Sequence, residues 1–227
     1  FSYQDDDRYA YWKRMEFTPK QWQELYEHAS QKNLYFLSSP FSLKAFNLLS
    51  DLNVPAWKIA SGEYKSWDLV DLMIESGKPI IVSTGMSSFD EINTLIERIN
   101  KNKNKIYLLQ CTSMYPTPLK KVGLNNLDEF KNKFSVNVGL SDHSGSVWPS
   151  ILAISKNVSI IEVHITLHKN AFGPDTTSSL TPDELKMISD ARNNFDVLNK
   201  NNVDKDKMAM ELANMRQLFT KSFSVNQ

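Results

Sequence analysis

One pattern constrains this chain more than any other. A helical segment leads into a short apolar run that stops on small polar or reactive residues, and the unit repeats. The runs are LYFLSSPF (Leu34 to Phe41), AWKIASGE (Ala56 to Glu63), IIVSTGM (Ile80 to Met86), KIYLLQCTSMYPTP (Lys105 to Pro118), VNVGLSDH (Val136 to His143) and IIEVHIT (Ile160 to Thr166). Their apolar stretches are continuous rather than alternating, as expected of parallel strands covered on both faces by helices. Between them, helical spacing predicts helices over 42–53, 68–77, 88–102, 124–133 and 148–155.

Upstream, a short helix is expected over 9–17, after an irregular start. Thr18 should cap a second helix with Pro19 at its first position and Gln21 completing a capping box. A last long helix opens at Thr181-Pro182-Asp183-Glu184 and runs to about Leu198. Six strand–helix units with polar groups after every strand point to a (β/α)8 TIM barrel, whose active site lies at the strand carboxyl ends. A Rossmann-type sheet would gather its ligand groups at one switch point behind a Gly-rich turn, and no G-x-G-x-x-G occurs.

Composition narrows the function classes. Lys plus Arg and Asp plus Glu both number 26 in 227 residues, so no basic surface suggests nucleic acid. The apolar runs are far shorter than the ~20 residues needed to span a bilayer. A single cysteine, Cys111, excludes internal disulfides and fits a reducing cytoplasm. It reads as a small buried residue, since nothing near it in sequence would lower its pKa.

The stretch Val136 to Asp175 concentrates the chemistry. One strand ends on Ser141, Asp142 and His143, and the next carries Glu162 and His164. Two neighbouring strands, each with a histidine at its end and a carboxylate beside it, are a way to build a metal or phosphate site. Either histidine alone would read as an ordinary buried side chain.

The motifs SSPF, KIASGE, GKPIIVSTGM, CTSMYPTP, GLSDHS, IEVHIT and GPD…SSLTPDEL, in this order, resemble the sialic acid (N-acylneuraminate and related nonulosonic acid) synthases. The resemblance implies a TIM barrel that condenses phosphoenolpyruvate with an N-acetylated hexose such as N-acetylmannosamine and releases phosphate. It also implies a divalent metal, commonly manganese, with magnesium or cobalt as alternatives. His143 and His164 match its metal ligands, and Lys58, Ser61, Ser83 and Ser141 match positions that hold phosphoenolpyruvate. Glu63 matches a glutamate near the reacting carbons. Tyr115 and Asp175 match the sugar pocket, and Glu162 would orient a group next to the metal.

The family's two first strands are absent from the pattern. The expected domain is therefore an incomplete barrel over 1–200 with an open edge, prone to association or easy unfolding. Residues 201–227 read as a linker with a short amphipathic helix and the start of a strand at Ser222, leading towards an absent C-terminal antifreeze-like domain. Family enzymes are homodimers.

Departures from the family pattern bear on the substrate site. Ser39 stands where the family has threonine and keeps the hydroxyl, Gln110 replaces a histidine, and Ser113 replaces an asparagine of some members. His168-Lys169 replaces Asp-Arg on the acceptor side. Two alternatives stay open: a pseudaminic- or legionaminic-type synthase with another acceptor, KIASGE leaning to the sialic or legionaminic branch, and a catalytically inactive barrel serving as an assembly subunit.

Overall fold

Capping residues and apolar spacing set the helices of this chain, and the apolar runs set most of its strands. The structure, a computed structural model, describes residues 5–220. The elements are α1 (Arg8–Met15), α2 (Pro19–Gln31), α3 (Leu43–Asp51), β1 (Trp57–Ile59), α4 (Trp67–Glu75), β2 (Ile80–Ser83), α5 (Phe89–Asn100) and β3 (Ile106–Cys111). They continue with α6 (Asn125–Lys133), β4 (Asn137–Asp142), α7 (Trp148–Ser155), β5 (Ile161–Ile165), β6 (Ser179–Leu180), α8 (Pro182–Lys200), α9 (Lys205–Glu211) and α10 (Ala213–Phe219). Thr18, Ser88 and Thr181 each make a full capping box, so three helix starts are locally determined.

All strand pairs are parallel, in the order β1-β2-β3-β4-β5-β6, giving a curled half-barrel sheet. Among the described residues β1 and β6 are paired on one side only, so the sheet has two free edges. Along each strand one set of side chains meets the helices: Trp57, Ile59, Ile80, Val82, Ile106, Leu108, Val138 and Leu140 join one buried cluster with α3 to α7. Each such aliphatic side chain contributes about 1.5–3 kcal/mol by leaving water. Trp57 adds a stack on Phe46, with ring centroids 4.6 Å apart, and an indole N–H donated to the Ser76 hydroxyl at 2.8 Å. The alternate side chains, Lys58, Ser83, Cys111, Ser141, Glu162 and His164, face the other side.

Two expectations about strands need correction. Leu34 to Phe41 forms no strand: among the described residues it joins no ladder, and β1 pairs only with β2. Strand propensity alone cannot close a ladder that lacks a partner. The sixth strand is instead Ser179–Leu180, set by the register His164↔Ser179 and Ile165↔Leu180. Two short helices, α9 and α10, occupy the segment read as a linker with one amphipathic helix. The strand expected at Ser222 lies outside the described residues.

Candidate active site

The carboxyl ends of β1 to β5 open into a cleft of about 440 Å3. Lys58, Ser61, Ser83, Ser113, Tyr115, Ser141, His143, Glu162 and His164 line it, together with Ala60, Gly62, Met86 and Cys111. Parallel register explains the convergence, because Cys111 is opposite Ser141 and Ser141 is opposite Glu162.

Lys58, the inward residue of β1, donates to the Ser83 hydroxyl at 2.8 Å and lies 3.3 Å from a Glu162 carboxylate oxygen. Ser141 donates to the other Glu162 oxygen at 2.7 Å. Glu162 thus joins the lysine and a serine rather than a histidine, which differs from the role of orienting a group next to a metal. Ser61 accepts from the Gly85 backbone N–H at 3.0 Å and directs its own hydroxyl towards the Cys111 sulfur at 3.7 Å. Gly85 lets these hydroxyls close in: a Cβ would come within 2.2 Å of the Ser113 hydroxyl and 2.8 Å of that of Ser61, so both would have to shift. Cys111 is buried, and burial pushes its thiol up, which suits a structural residue on the cleft floor.

The histidines meet on the other side of the cleft. Their ring centroids are 5.1 Å apart. Tyr115, after a cis peptide to Pro116, stacks on His143 at 4.3 Å and stands edge-on to His164 at 5.7 Å. The His143 Nδ1 lies 3.1 Å from the Thr112 carbonyl oxygen, which can only accept, so Nδ1 carries the proton and Nε2 carries the lone pair. That lone pair has only long contacts, 3.5 Å each, with the Ser141 and Tyr115 hydroxyls. Burial lowers the His143 pKa against the opposing pull of the Thr112 carbonyl, which keeps the ring neutral. Asp175 reaches His164 Nδ1 with a carboxylate oxygen at 3.7 Å.

No set of three His, Cys, Asp or Glu side chains among the described residues could enclose a metal ion. The donors that exist are two imidazoles, one with its lone pair free of any short hydrogen bond, a chemistry that would suit a first-row divalent cation if water or ligand supplied the other positions.

Other expected residues lie elsewhere. Ser39, in the unpaired segment, does not line the cleft. Nor does Glu63, whose carboxylate accepts from the Ser66 hydroxyl at 2.7 Å in the turn before α4. Lys169 is not presented to an acceptor: its ammonium donates to the Gly145 and Ser179 carbonyls at 3.0 and 2.8 Å and pairs with Glu184 at 2.9 Å. Gln110 is buried on the helix side, donating to the Val122 carbonyl and accepting from Asn126. Thr112 and Thr117 were not legible as site residues, since their part is played by a carbonyl and by buried loop hydrogen bonds.

A sequentially ordered parallel α/β sheet that gathers one ammonium, several hydroxyls, a carboxylate and two imidazoles at its strand carboxyl ends has the layout in which parallel α/β folds place their ligand sites. Residues 2–203 match the NeuB family, and the chain belongs to that family. It is 37% identical over 187 residues to the N,N'-diacetyllegionaminic acid synthase of Campylobacter jejuni, covering 81% of this chain and 56% of that protein. It is 34% identical over 197 residues to a pseudaminic acid synthase of the same species, covering 86% of this chain and 57% of that one. The chain thus spans about half the length of the curated relatives it matches. The crystal structure of an N-acetylneuraminic acid synthetase from Leptospira borgpetersenii superposes with a TM-score of 0.80 at 29% identity, covering 91% of this chain and 73% of that one. No helix among the described residues is long and apolar enough to cross a membrane.

Proposed function

We propose that this chain belongs to a synthase that condenses phosphoenolpyruvate with an N-acetylated hexose, giving a sialic or related nonulosonic acid and inorganic phosphate. The observation that supports it is the convergence of Lys58, Ser83, Ser141, Glu162, His143 and His164 in one cleft. In this reading residues 1–200 are the incomplete part of a (β/α)8 barrel and the whole protein works as a cytoplasmic homodimer.

Lys58, with the hydroxyls of Ser61, Ser83 and Ser141, holds the phosphate and carboxylate of phosphoenolpyruvate, since one firm cation and short donors match two anionic groups. Phosphate binding requires Lys58 to exchange its Glu162 partner for the ligand. Tyr115, Ser113 and Asp175 flank the acceptor sugar. A divalent cation held by His143 and His164, with manganese the first choice, would polarise the acceptor aldehyde when bound.

The enol carbon of phosphoenolpyruvate bonds to the aldehyde carbon, leaving positive charge on the carbon that bears the phosphate. Water adds there. Its released proton passes through Glu162, the carboxylate that faces the cleft, to the former aldehyde oxygen. The resulting tetrahedral species expels phosphate with its bridging oxygen, so the C–O bond breaks. Glu162 takes the part expected of Glu63, because Glu63 is held by Ser66 outside the cleft.

The test supplies phosphoenolpyruvate labelled with heavy oxygen at the bridge, together with N-acetylmannosamine or a diacetylated hexose. The expected result is a nonulosonic acid and full recovery of label in inorganic phosphate. Label retained in the sugar acid overturns the mechanism, and failure of every N-acetylated hexose to give product overturns the reaction. The 37% identity to a legionaminic-type synthase supports including the diacetylated acceptor.

A further inference from the structure

We infer that Thr117 is a positioning residue that holds His143 and Tyr115 in their working geometry, an inference resting on the reading of His143 as a metal ligand. Thr117 is only 4% exposed within a loop whose neighbours Met114, Tyr115 and Leu119 are 36%, 52% and 58% exposed. A buried threonine in an exposed loop is held there by its hydrogen bonds.

Those bonds tie both sides of the site together. The Thr117 backbone N–H donates to the His143 carbonyl at 2.9 Å, which fixes the loop to the end of β4. The Thr117 hydroxyl lies 2.7 Å from the Met114 carbonyl and 3.1 Å from the Thr112 carbonyl, and its single proton is shared between them. The Thr112 carbonyl is the same oxygen that accepts from His143 Nδ1. The turn from 112 to 117 is therefore closed by Thr117, with Tyr115 inside it and stacked on the His143 ring. Thr112 anchors the other end of the turn by donating its hydroxyl to the Lys121 carbonyl at 2.8 Å.

Removing the Thr117 hydroxyl leaves the Met114 carbonyl without that donor and takes one donor from the Thr112 carbonyl, which keeps the Met114 backbone N–H at 2.8 Å and His143 Nδ1 at 3.1 Å. The acceptor that keeps the His143 proton on Nδ1 and its lone pair on Nε2 is then less firmly placed, held by the Met114 N–H and the Thr112–Lys121 bond without the Thr117 clasp. Groups that orient a metal-binding histidine in this way typically change metal affinity 10–100-fold when removed. The Lys58 side of the cleft meets this clasp at the long 3.5 Å contact between the Ser141 hydroxyl and His143 Nε2, so phosphoenolpyruvate binding should change much less than metal binding.

The test uses Thr117→Val, which keeps the shape but loses the hydroxyl, and Thr117→Ser, which keeps the hydroxyl. Mn2+ binding to the metal-free full chain is followed by calorimetry, and nitrogen NMR reports which His143 nitrogen is protonated, with His143→Ala assigning the ring. The expected result is Mn2+ binding about 10–100-fold weaker in Thr117→Val, a mixture of His143 tautomers in that variant, and near-parental behaviour in Thr117→Ser. Equal Mn2+ affinity and an unchanged tautomer in Thr117→Val overturn the inference. If the parent itself binds no Mn2+, the metal reading falls, while the NMR comparison still decides the part played by Thr117. Should Thr117→Val fail to fold, Thr117→Ala against Thr117→Ser repeats the comparison.

Discussion

Ser141 and Glu162 are register partners on adjacent parallel strands, and the serine hydroxyl donates to the glutamate carboxylate at 2.7 Å. Lys58, on β1 and three strands away from β4, completes the group at 3.3 Å from the same carboxylate. The carboxylate thus holds the lysine in place before any anionic ligand arrives, and three strands share one polar contact.

Glu162→Gln tests that arrangement. The amide keeps the shape but can neither ion-pair with Lys58 nor take a proton. Synthase turnover should fall by about 10²-fold or more, the usual size of a lost acid–base group. Thermal stability should change little, because the Glu162 side chain is 40% exposed and solvent screens its ion pair. Equal losses of stability and activity would point to a structural role instead.

Gly85→Ala places a methyl group within 2.2 Å of the Ser113 hydroxyl, 2.8 Å of that of Ser61 and 2.9 Å of the Cys111 sulfur. The expected outcome is a several-fold rise in the KM for phosphoenolpyruvate with the fold retained, since side-chain ends can shift where a backbone cannot. Steady-state kinetics and a far-ultraviolet dichroism spectrum check this. An unchanged KM would show that Ser61 is not at the phosphate.

Acid stability should depend on Glu91. Hydrogen bonds from the Tyr64 hydroxyl, the Ser88 backbone N–H and Lys65 bring its pKa down to about 2. A carboxylate with a depressed folded-state pKa stabilises the fold above its unfolded value near 4.5, and that stability is lost as pH falls towards about 2. Urea unfolding at several pH values should therefore show a shallower loss of stability between about pH 4.5 and 2 in Glu91→Gln than in the parent. Parallel curves would mean that Glu91 is equally paired in the unfolded chain.

Leu108, fully buried at the centre of β3, should be among the costliest truncations. Leu108→Ala is expected to destabilise by about 2–5 kcal/mol through lost transfer energy and a residual cavity. Denaturant titration measures it, and a loss below about 1 kcal/mol would mean that the α5 and α6 helices collapse into the space.

The helices and most strands of this chain were legible in its order of residues because their causes are local. Thr18, Ser88 and Thr181 satisfy helix N-termini with side chains within three residues. Runs such as IIVS and IYLLQC are apolar because one set of their side chains packs against the helices and the alternate residues Ile81 and Leu109 are buried on the concave side beneath the cleft. The placing of Lys58, Ser83, Ser141, His143, Glu162 and His164 at strand ends follows from the same pattern, since parallel strands in sequence order bring their carboxyl ends together.

Tertiary structure decided what depends on partners distant in sequence. Leu34 to Phe41 has the composition of a strand but finds no ladder among the described residues, whereas Ser179–Leu180 has no strand signature and becomes one by pairing with His164 and Ile165. Glu63, Lys169 and Glu162 are all charged residues near strand ends, and nothing in their order says which face the cleft. Ser66 captures the first, two carbonyls and Glu184 capture the second, and only Glu162 is turned inward by the alternation of β5. Backbone carbonyls have no signature in sequence at all, so the Thr112 oxygen that sets the His143 tautomer could be found only once the chain had folded around it.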